Sequence, residues 1–320
     1  MAVAVLAATA AVANMANVAA AQAFPDKPIK LVVPFPPGGG ADNLARAVIP
    51  RAGEILGQPI TIENRPGAGG NVGSEAVARS PADGYTLLYG TNGTHGINHA
   101  LYAKPGFDPI KDFATVSRVS YIPAMLVVIP SVPAGTLKEL VEYLRANPGK
   151  VSFASAGNGT TSHMAGELFK RVAAVEIQHI PYKGGGPALT GLLGGEVQMM
   201  IDLTANLSAQ VKAGKLKAIA VTSSTRVPGF DLPTLQEAGL AGYEIIASDG
   251  IFAPAGTPRA VVEKLNAAMK QALSEPAVIE RLTARGAVAI YSTPEAQLAH
   301  ITKELPQWAR LVKESGAKVD

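Results

Sequence analysis

The 320-residue chain contains no cysteine, which excludes disulfide frameworks, thiolate zinc sites and cysteine nucleophiles. Charged residues make up only 17% of the chain, and the formal net charge of +3 is spread over interspersed charges of both signs. This balance argues against a nucleic-acid-binding surface. Beyond the N-terminal segment, no run approaches the roughly 18 unbroken apolar residues of a membrane span. We therefore expect a protein stabilised by its apolar core.

The N-terminal segment differs in composition from the rest of the chain. Residues 2–23 carry no charge, consist mostly of Ala and Val, and end in Ala21-Gln22-Ala23, which matches an A-x-A cleavage pattern. We interpret residues 1–23 as a secretory signal peptide that is cleaved after about Ala23. The alternative is a transmembrane anchor, which Asn and Gln residues within the segment disfavour. The remaining 297 residues are enough for two domains.

Apolar runs of β-type residues alternate with amphipathic helical runs along the chain. This alternation is typical of βαβ units and predicts an α/β fold with parallel strands covered by helices on both faces. Two long strand-like segments, 121–130 and 243–254, bracket a block with the size of a small domain. We therefore predict a discontinuous first lobe of residues 24–124 and 250–320, a second lobe of residues 125–249, and a two-strand hinge.

A proline- and glycine-rich loop follows the first predicted strand and leads into a helix. The loop, residues 34–42, has the sequence PFPPGGGAD. Glycines let backbone N–H groups approach a ligand closely, and the first turn of a helix has unpaired donors and a partial positive charge. Such a loop suits an anion. The alternative is a plain strand-to-helix turn, which also explains the glycines.

Three further loops repeat this arrangement after predicted strands, at residues 89–94, 155–163 and 181–187. Ligand loops in open α/β sheets lie at the carboxyl ends of the strands, so loops from two lobes can share one cleft. Four donor-rich loops on two lobes therefore predict a cleft that binds a small organic anion. From these loops we select six ligand-binding residues: Phe35, Pro37, Thr91, Asn92, Ser155 and Ala156.

The same segments resemble a known family over almost the whole mature chain. Residues 24–29, 34–42, 63–71, 82–86, 155–163, 181–184 and 252–258 are together similar to the TctC-type extracytoplasmic solute receptors, also called Bug receptors, of tripartite tricarboxylate transporters. The resemblance implies a two-lobed periplasmic-binding-protein (Venus flytrap) fold with two mixed, mostly parallel sheets. It also implies a periplasmic receptor that captures a small carboxylate and delivers it to membrane transporter subunits. We expect a monomer with no cofactor and no metal.

The resemblance also selects ligand-binding positions. The matching residues are Gly38, Gly39 and Asp42 in the first lobe, and Gly157, Gly159, Thr160, His163, Tyr182, Lys183 and Gly184 in the second. Structural roles stay open for some candidates. His163 lies in the first turn of its helix, where a cap is an alternative, and Lys183 could equally be a solvated lysine. Asp202 is a further candidate, with capping of the following helix as its alternative role.

The chain departs from the family pattern at one position. Where family members have aromatic residues before Gly-Leu-Phe-Ala-Pro, this chain has Ser248 and Asp249 before Gly250. A carboxylate that faces the cleft would repel a third ligand carboxylate and accept a hydrogen bond from an ammonium or hydroxyl group. Asp249 therefore favours amino or hydroxy acids over citrate-like tricarboxylates. The alternative is that Asp249 points to solvent or caps a turn.

Enzymatic motifs are incomplete in this sequence. Residues 67–73 miss the dinucleotide-binding fingerprint because Val72 occupies the third glycine position, and no loop carries the Gly-Lys-Ser/Thr of a P-loop. His95 and His99 have metal-ligand spacing, but Gly96 stands where a zinc protease has Glu. We predict no catalytic residue. One cluster keeps a periplasmic hydrolase or isomerase open as the alternative function: Ser155, Ser162 and His163.

Overall fold

The computed structural model describes residues 24–227, 229–315, 317 and 319, so the predicted signal peptide lies outside the described residues. The described strands are Ile29–Val33 (β1), Ile60–Asn64 (β2), Thr86–Thr91 (β3), Phe113–Val128 (β4), Ser152–Ser155 (β5), Gln178–Pro181 (β6), Met199–Leu203 (β7), Lys217–Val221 (β8), Ile246–Pro254 (β9) and Val288–Ala289 (β10). The α-helices are Gly40–Leu56 (α1), Asn71–Ala78 (α2), Asn98–Leu101 (α3), Leu137–Ala146 (α4), Thr161–Ala173 (α5), Gly185–Leu193 (α6), Thr204–Lys212 (α7), Arg259–Ser274 (α8), Pro276–Thr283 (α9) and Pro294–Ser315 (α10). None of these helices combines the length and apolarity needed to cross a bilayer.

Strand β4 belongs to two sheets. Its first part pairs with β9 and β10 in a sheet of order β2-β1-β3-β9-β4. Its last residues, from Ala124 to Val128, pair with β7 and β8 in a second sheet that continues through β5 to β6. The α/β fold with two sheets joined through long strands is confirmed.

One detail of the fold prediction needs correction, because the sheets are mixed but not mostly parallel. Four of the described strand pairings are parallel and five are antiparallel. The antiparallel pairings all involve β4 or β9, the strands that connect the lobes. The βαβ pattern of the sequence predicts only the parallel pairings β1-β2, β1-β3, β5-β6 and β5-β7.

The last helix contributes to the cores of both lobes. Ile301 packs with Phe113 and Phe252 in the first lobe. Trp308, seven residues further along α10, is buried in the second-lobe core with Phe169. The lobe boundaries predicted from the sequence remain a prediction, and α10 is a further connection between the two bodies.

Candidate functional site

A cavity of about 50 Å³ lies between the lobes, where several helices begin. The first residues of three helices line it: Gly40 of α1, Thr161 of α5 and Gly185 of α6. Leu203, which immediately precedes α7, lines it as well. The first N–H groups of a helix have no intrahelical partner, and the helix dipole places partial positive charge there. Three helix N-termini therefore face the inner cavity, as we call it.

Eight of the residues predicted from the sequence line the inner cavity. Five come from loops that follow strands ending at the cleft, and Thr91, Asp202 and Asp249 belong to strands β3, β7 and β9. The eight residues are Phe35, Gly39, Thr91, Asn92, Ala156, Thr160, Asp202 and Asp249. Among the described lining residues there is no lysine or arginine.

A larger cavity of about 680 Å³ adjoins the inner cavity and shares Phe35 and Ala156 with it. We call it the outer cavity. Four other predicted residues line it: Gly157, Tyr182, Lys183 and Gly184. Lys183 is exposed, so its ammonium group keeps its contact with solvent. The outer cavity is therefore the larger and more solvent-exposed part of the space between the lobes.

Six predicted residues line neither cavity: Pro37, Gly38, Asp42, Ser155, Gly159 and His163. Asp42 has a structural role in the first glycine-rich loop. Its carboxylate accepts hydrogen bonds from the Gly38 N–H, from Arg46 Nε and from Asn64 Nδ2, each at 2.9 Å. Burial raises the pKa of Asp42, but these hydrogen bonds outweigh burial and hold the pKa below its usual value. Asp42 therefore fixes the loop as an ionised acceptor.

Ser155 and His163 are likewise engaged within their own lobe. The Gly157 N–H donates to Ser155 Oγ at 3.1 Å, and Ser155 Oγ lies 2.6 Å from His179 Nε2. The Gly159 N–H donates to His163 Nδ1 at 3.3 Å. Ser155 is fully buried, and burial is the main cause that lowers the pKa of His163 to about 4 and that of His179 to about 3. Ser155 and His163 thus stabilise the loop and line neither cavity. Ser162, the third member of the cluster, lines the inner cavity, but its Oγ accepts from the Ala156 N–H at 2.9 Å and no histidine contact to it is seen among the described residues.

One group of side chains in the described part of the chain approaches metal-ligand spacing. Potential ligand atoms of His163, Glu167 and His179 lie within 4.8 Å of one another. The two imidazole rings, however, are stacked at 4.2 Å with an interplanar angle of 11°. Lone pairs lie in the ring planes, so nearly parallel rings cannot direct them at one ion. Glu167 is also paired with Lys170 Nζ at 2.9 Å, which leaves the cluster unsuited to a metal in this arrangement.

Two buried carboxyl groups line the inner cavity. Asp249 is 3% exposed and accepts a hydrogen bond from the Tyr89 hydroxyl at 2.9 Å. Burial raises the pKa of Asp249 to about 7 and that of Asp202 to about 6. The alternative that Asp249 points to solvent is therefore wrong. The capping role considered for Asp202 is also wrong, because its carboxylate accepts from Asn206 Nδ2 at 2.7 Å and no side chain caps α7.

Sequence reasoning did not select seven lining residues: Gly40, Ala41, Thr161, Ser162, Gly185, Leu203 and Ala247. Five of them directly follow selected loop residues in the first turn of α1, α5 or α6. The unpaired N–H groups of a first helical turn are the signal that could have identified these five. Leu203 and Ala247 are apolar and carry no such signal.

The lobes contact each other around the cavities. The Thr161 hydroxyl of the second lobe donates to Asn92 Oδ1 of the first at 2.9 Å. The Tyr102 hydroxyl donates across the cleft to the Asn158 carbonyl at 2.9 Å. The two lobes are thus in direct contact beside the cavities, and we call this the closed arrangement.

The sequence model of one protein family, TctC, described as the tripartite tricarboxylate transporter family receptor, matches residues 44–317. The chain belongs to this family. Protein BugT of Bordetella pertussis is 36% identical over 311 residues, which are 97% of this chain and 95% of BugT. The family resemblance is thereby confirmed, and the chain is a solute-binding receptor of the TctC type.

Two solved structures of similar proteins contain small carboxylates. A protein of R. palustris solved with adipate superposes with a TM-score of 0.90 at 36% identity, covering 92% of this chain and 100% of that one. MatC from Rhodopseudomonas palustris, solved with bound malate, gives a TM-score of 0.86 at 37% identity, covering 90% of this chain and 100% of that one. The two-lobed fold of periplasmic binding proteins is therefore confirmed for this TctC-type receptor.

Proposed function

We propose that this receptor binds a small organic acid in the periplasm and delivers it to the membrane subunits of a tripartite tricarboxylate-type transporter. The observation that carries the proposal is the convergence of the first residues of α1, α5 and α6 on one cavity. Their N–H groups hold the ligand carboxylate. The adipate and malate found with similar proteins support this class of ligand.

The ligand also carries a hydrogen-bond donor, in this proposal an ammonium or hydroxyl group next to a carboxylate. The support comes from Asp202 and Asp249, two carboxyl groups in a cavity whose described lining has no basic side chain. Where Asp202 and Asp249 are ionised, a carboxylate-only ligand would leave at least one of these acceptors facing negative charge or an apolar chain, which is unfavourable for a buried group. An amino acid or hydroxy acid gives them a donor.

Binding couples to closure of the lobes. A ligand that contacts loops of both lobes stabilises the closed arrangement relative to open ones, and the transporter then distinguishes the loaded receptor by its shape. Hydrogen bonds to charged groups contribute roughly 1.5 to 3 kcal/mol each. Several such bonds, less the free energy of association and closure, are compatible with a micromolar dissociation constant, which corresponds to about 8 kcal/mol. Neutral N–H donors in place of an arginine clamp keep release possible.

Three acids with one carbon skeleton provide a matched test. Succinate, malate and aspartate carry H, OH and NH₃⁺ respectively at the same carbon of a four-carbon dicarboxylate. Calorimetry on residues 24–320 should give one site per chain, with malate or aspartate bound at least about tenfold more tightly than succinate, because a site built for a donor rejects the analogue that lacks it. Equal affinities would remove the donor requirement. Failure of these acids and of adipate, glutamate and citrate to bind would contradict the receptor proposal.

Of the cluster that keeps a hydrolase or isomerase open, Ser162 alone lines the inner cavity, and no histidine is among the described lining residues. Incubation of the bound acid with purified receptor, followed by NMR of the solution, should return the acid unchanged. Conversion that is abolished in Ser155→Ala would establish the enzymatic function instead.

A further inference from the structure

A second, smaller chamber adjoins the inner cavity beneath the last helix. Its volume is about 20 Å³, and it shares Thr91, Asn92 and Asp249 with the inner cavity. The rest of its lining comes from the turn after β3, from β4 and β9, and from α10. The chamber therefore lies where the strands that connect the lobes meet the helix that packs on both.

Several residues that line the chamber have buried polar atoms without a hydrogen-bond partner. Five buried side-chain nitrogen or oxygen atoms in the described part of the chain have no hydrogen-bond partner there. Four of the five belong to residues that line this chamber: His95 Nε2, Arg118 Nε, Gln297 Oε1 and His300 Nε2. His300 Nε2 lies 3.4 Å from Glu304 Oε2, so the other three are the atoms without a polar contact. His95 and Gln297 are 3% and 2% exposed, so bulk solvent does not satisfy them. Unsatisfied buried polar atoms are strongly unfavourable, and three in one chamber indicate a bound polar species.

The hydrogen-bonding character of these atoms is mixed. Thr94 Oγ1 donates to the Thr91 carbonyl at 3.1 Å and lies 2.9 Å from His95 Nδ1. With the Thr94 hydroxyl proton directed at the Thr91 carbonyl, His95 Nδ1 carries the ring proton and His95 Nε2 is an acceptor. Gln297 Oε1 is a second acceptor, whereas Arg118 Nε–H is a donor. A ligand of this chamber must donate and accept hydrogen bonds at once.

The residues around the chamber suit a neutral ligand better than a small ion. Asp249, Glu304 and Gln297 line it, and where the two carboxyl groups are ionised they disfavour an anion. The guanidinium group of Arg118 lines it as well and disfavours a cation. A water molecule needs about 10 to 15 Å³ and two to four polar partners, which the chamber provides.

We infer that this chamber is a binding site for one internal water molecule. The water donates to His95 Nε2 and Gln297 Oε1 and accepts from Arg118 Nε–H, so it connects α10 to β4 and to the turn that follows β3. It completes the polar contacts of the hinge directly beside Asp249. This site goes beyond the proposed function, because it does not depend on which acid the receptor carries.

The direct test is a crystal structure at about 1.5 Å resolution of the mature chain, with a second data set from a crystal soaked in sodium bromide. The expected result is one spherical density peak within hydrogen-bonding distance of His95 Nε2, Gln297 Oε1 and Arg118 Nε, with no anomalous bromine signal there. An anomalous peak would show an anion site and overturn the inference. A chamber without density would overturn it as well.

A variant pair extends the test to solution. Gln297→Met keeps the approximate side-chain volume but removes the acceptor, and it should lower the melting temperature by about 2–6 °C. Gln307→Met changes an exposed residue of the same helix and should leave the melting temperature unchanged. Equal melting temperatures of the two variants would contradict a bound water at Gln297.

Discussion

One glycine of the second lobe faces side chains of the first lobe, so we expect closure to depend on its small size. Gly159 has a φ of +79°, and a Cβ atom added to it would overlap Asn98 Oδ1 and lie 2.9 Å from Tyr102 Cε2. Asn98 and Tyr102 belong to the first lobe, whereas Gly159 belongs to the second. Gly159→Ala should therefore oppose the closed arrangement and leave open arrangements free of the clash.

The free energy by which Gly159→Ala destabilises the closed state follows from the hydrogen bonds that Asn98 would lose. Its Nδ2 donates to the Gly69 carbonyl at 3.1 Å and to Asn71 Oδ1 at 2.6 Å, and a displaced Asn98 loses both hydrogen bonds. Each lost bond costs about 1 kcal/mol, and more where a buried partner stays unsatisfied, so the closed state loses about 2–4 kcal/mol. Since ligand binds the closed state, the apparent dissociation constant should rise by about 30- to 700-fold.

The assay is calorimetry with the tightest of succinate, malate and aspartate. Alanine at positive φ is itself strained by about 1–2 kcal/mol, which lowers folding stability without reference to closure. Gly149→Ala is the matched control, because Gly149 has a φ of +69° and open space where the Cβ would lie. Gly149→Ala should bind like the unmodified receptor. If Gly159→Ala also binds the acid like the unmodified receptor, binding does not require the lobe contact seen at Gly159.

Three further predictions concern the carboxyl group of Asp249. Burial raises the pKa of Asp249 to about 7, so the stability that this group contributes is fully present below about pH 4 and is lost as the pH rises towards 7. The melting temperature of the free receptor should therefore fall from pH 5 to 8, and it should fall less in Asp249→Asn. Because a ligand ammonium favours the ionised carboxylate, aspartate should bind more tightly at pH 8 than at pH 6 and release a proton, which calorimetry in phosphate and Tris buffers detects; proton-independent binding would contradict this contact. Tyr89→Phe removes the hydroxyl that donates to Asp249 and should lower the free energy of unfolding by about 1–3 kcal/mol in urea titrations; an unchanged midpoint would show that this hydrogen bond is dispensable.

The alternation of strands and helices was predictable because apolar runs with two different periods are visible in the chain. The first half of β4 was not, since Thr115, Ser117, Arg118 and Ser120 interrupt its apolar pattern. That segment is a strand because β9 and β10 pair with it on either side. Pairing partners distant in sequence are not encoded in local periodicity.

The candidate site was predictable to the level of loops. Glycine-rich segments after strands identified the regions that line the inner cavity, and the departure from the family pattern identified Asp249. Which residue of a loop faces the ligand was not predictable, because polar residues can equally satisfy the loop itself. The Asp42 carboxylate accepts hydrogen bonds from Gly38, Arg46 and Asn64, so this carboxylate stabilises the loop and does not line the inner cavity.

A crystal structure of the complex with the tightest-binding acid would show whether helix N-termini from both lobes hold its carboxylate in the inner cavity. We expect a carboxylate within about 3 Å of backbone N–H groups of α1 and of α5 or α6, with the donor group of the ligand turned towards Asp202 or Asp249. A ligand bound outside the inner cavity, or one whose carboxylate contacts none of these helix N-termini, would contradict this expectation.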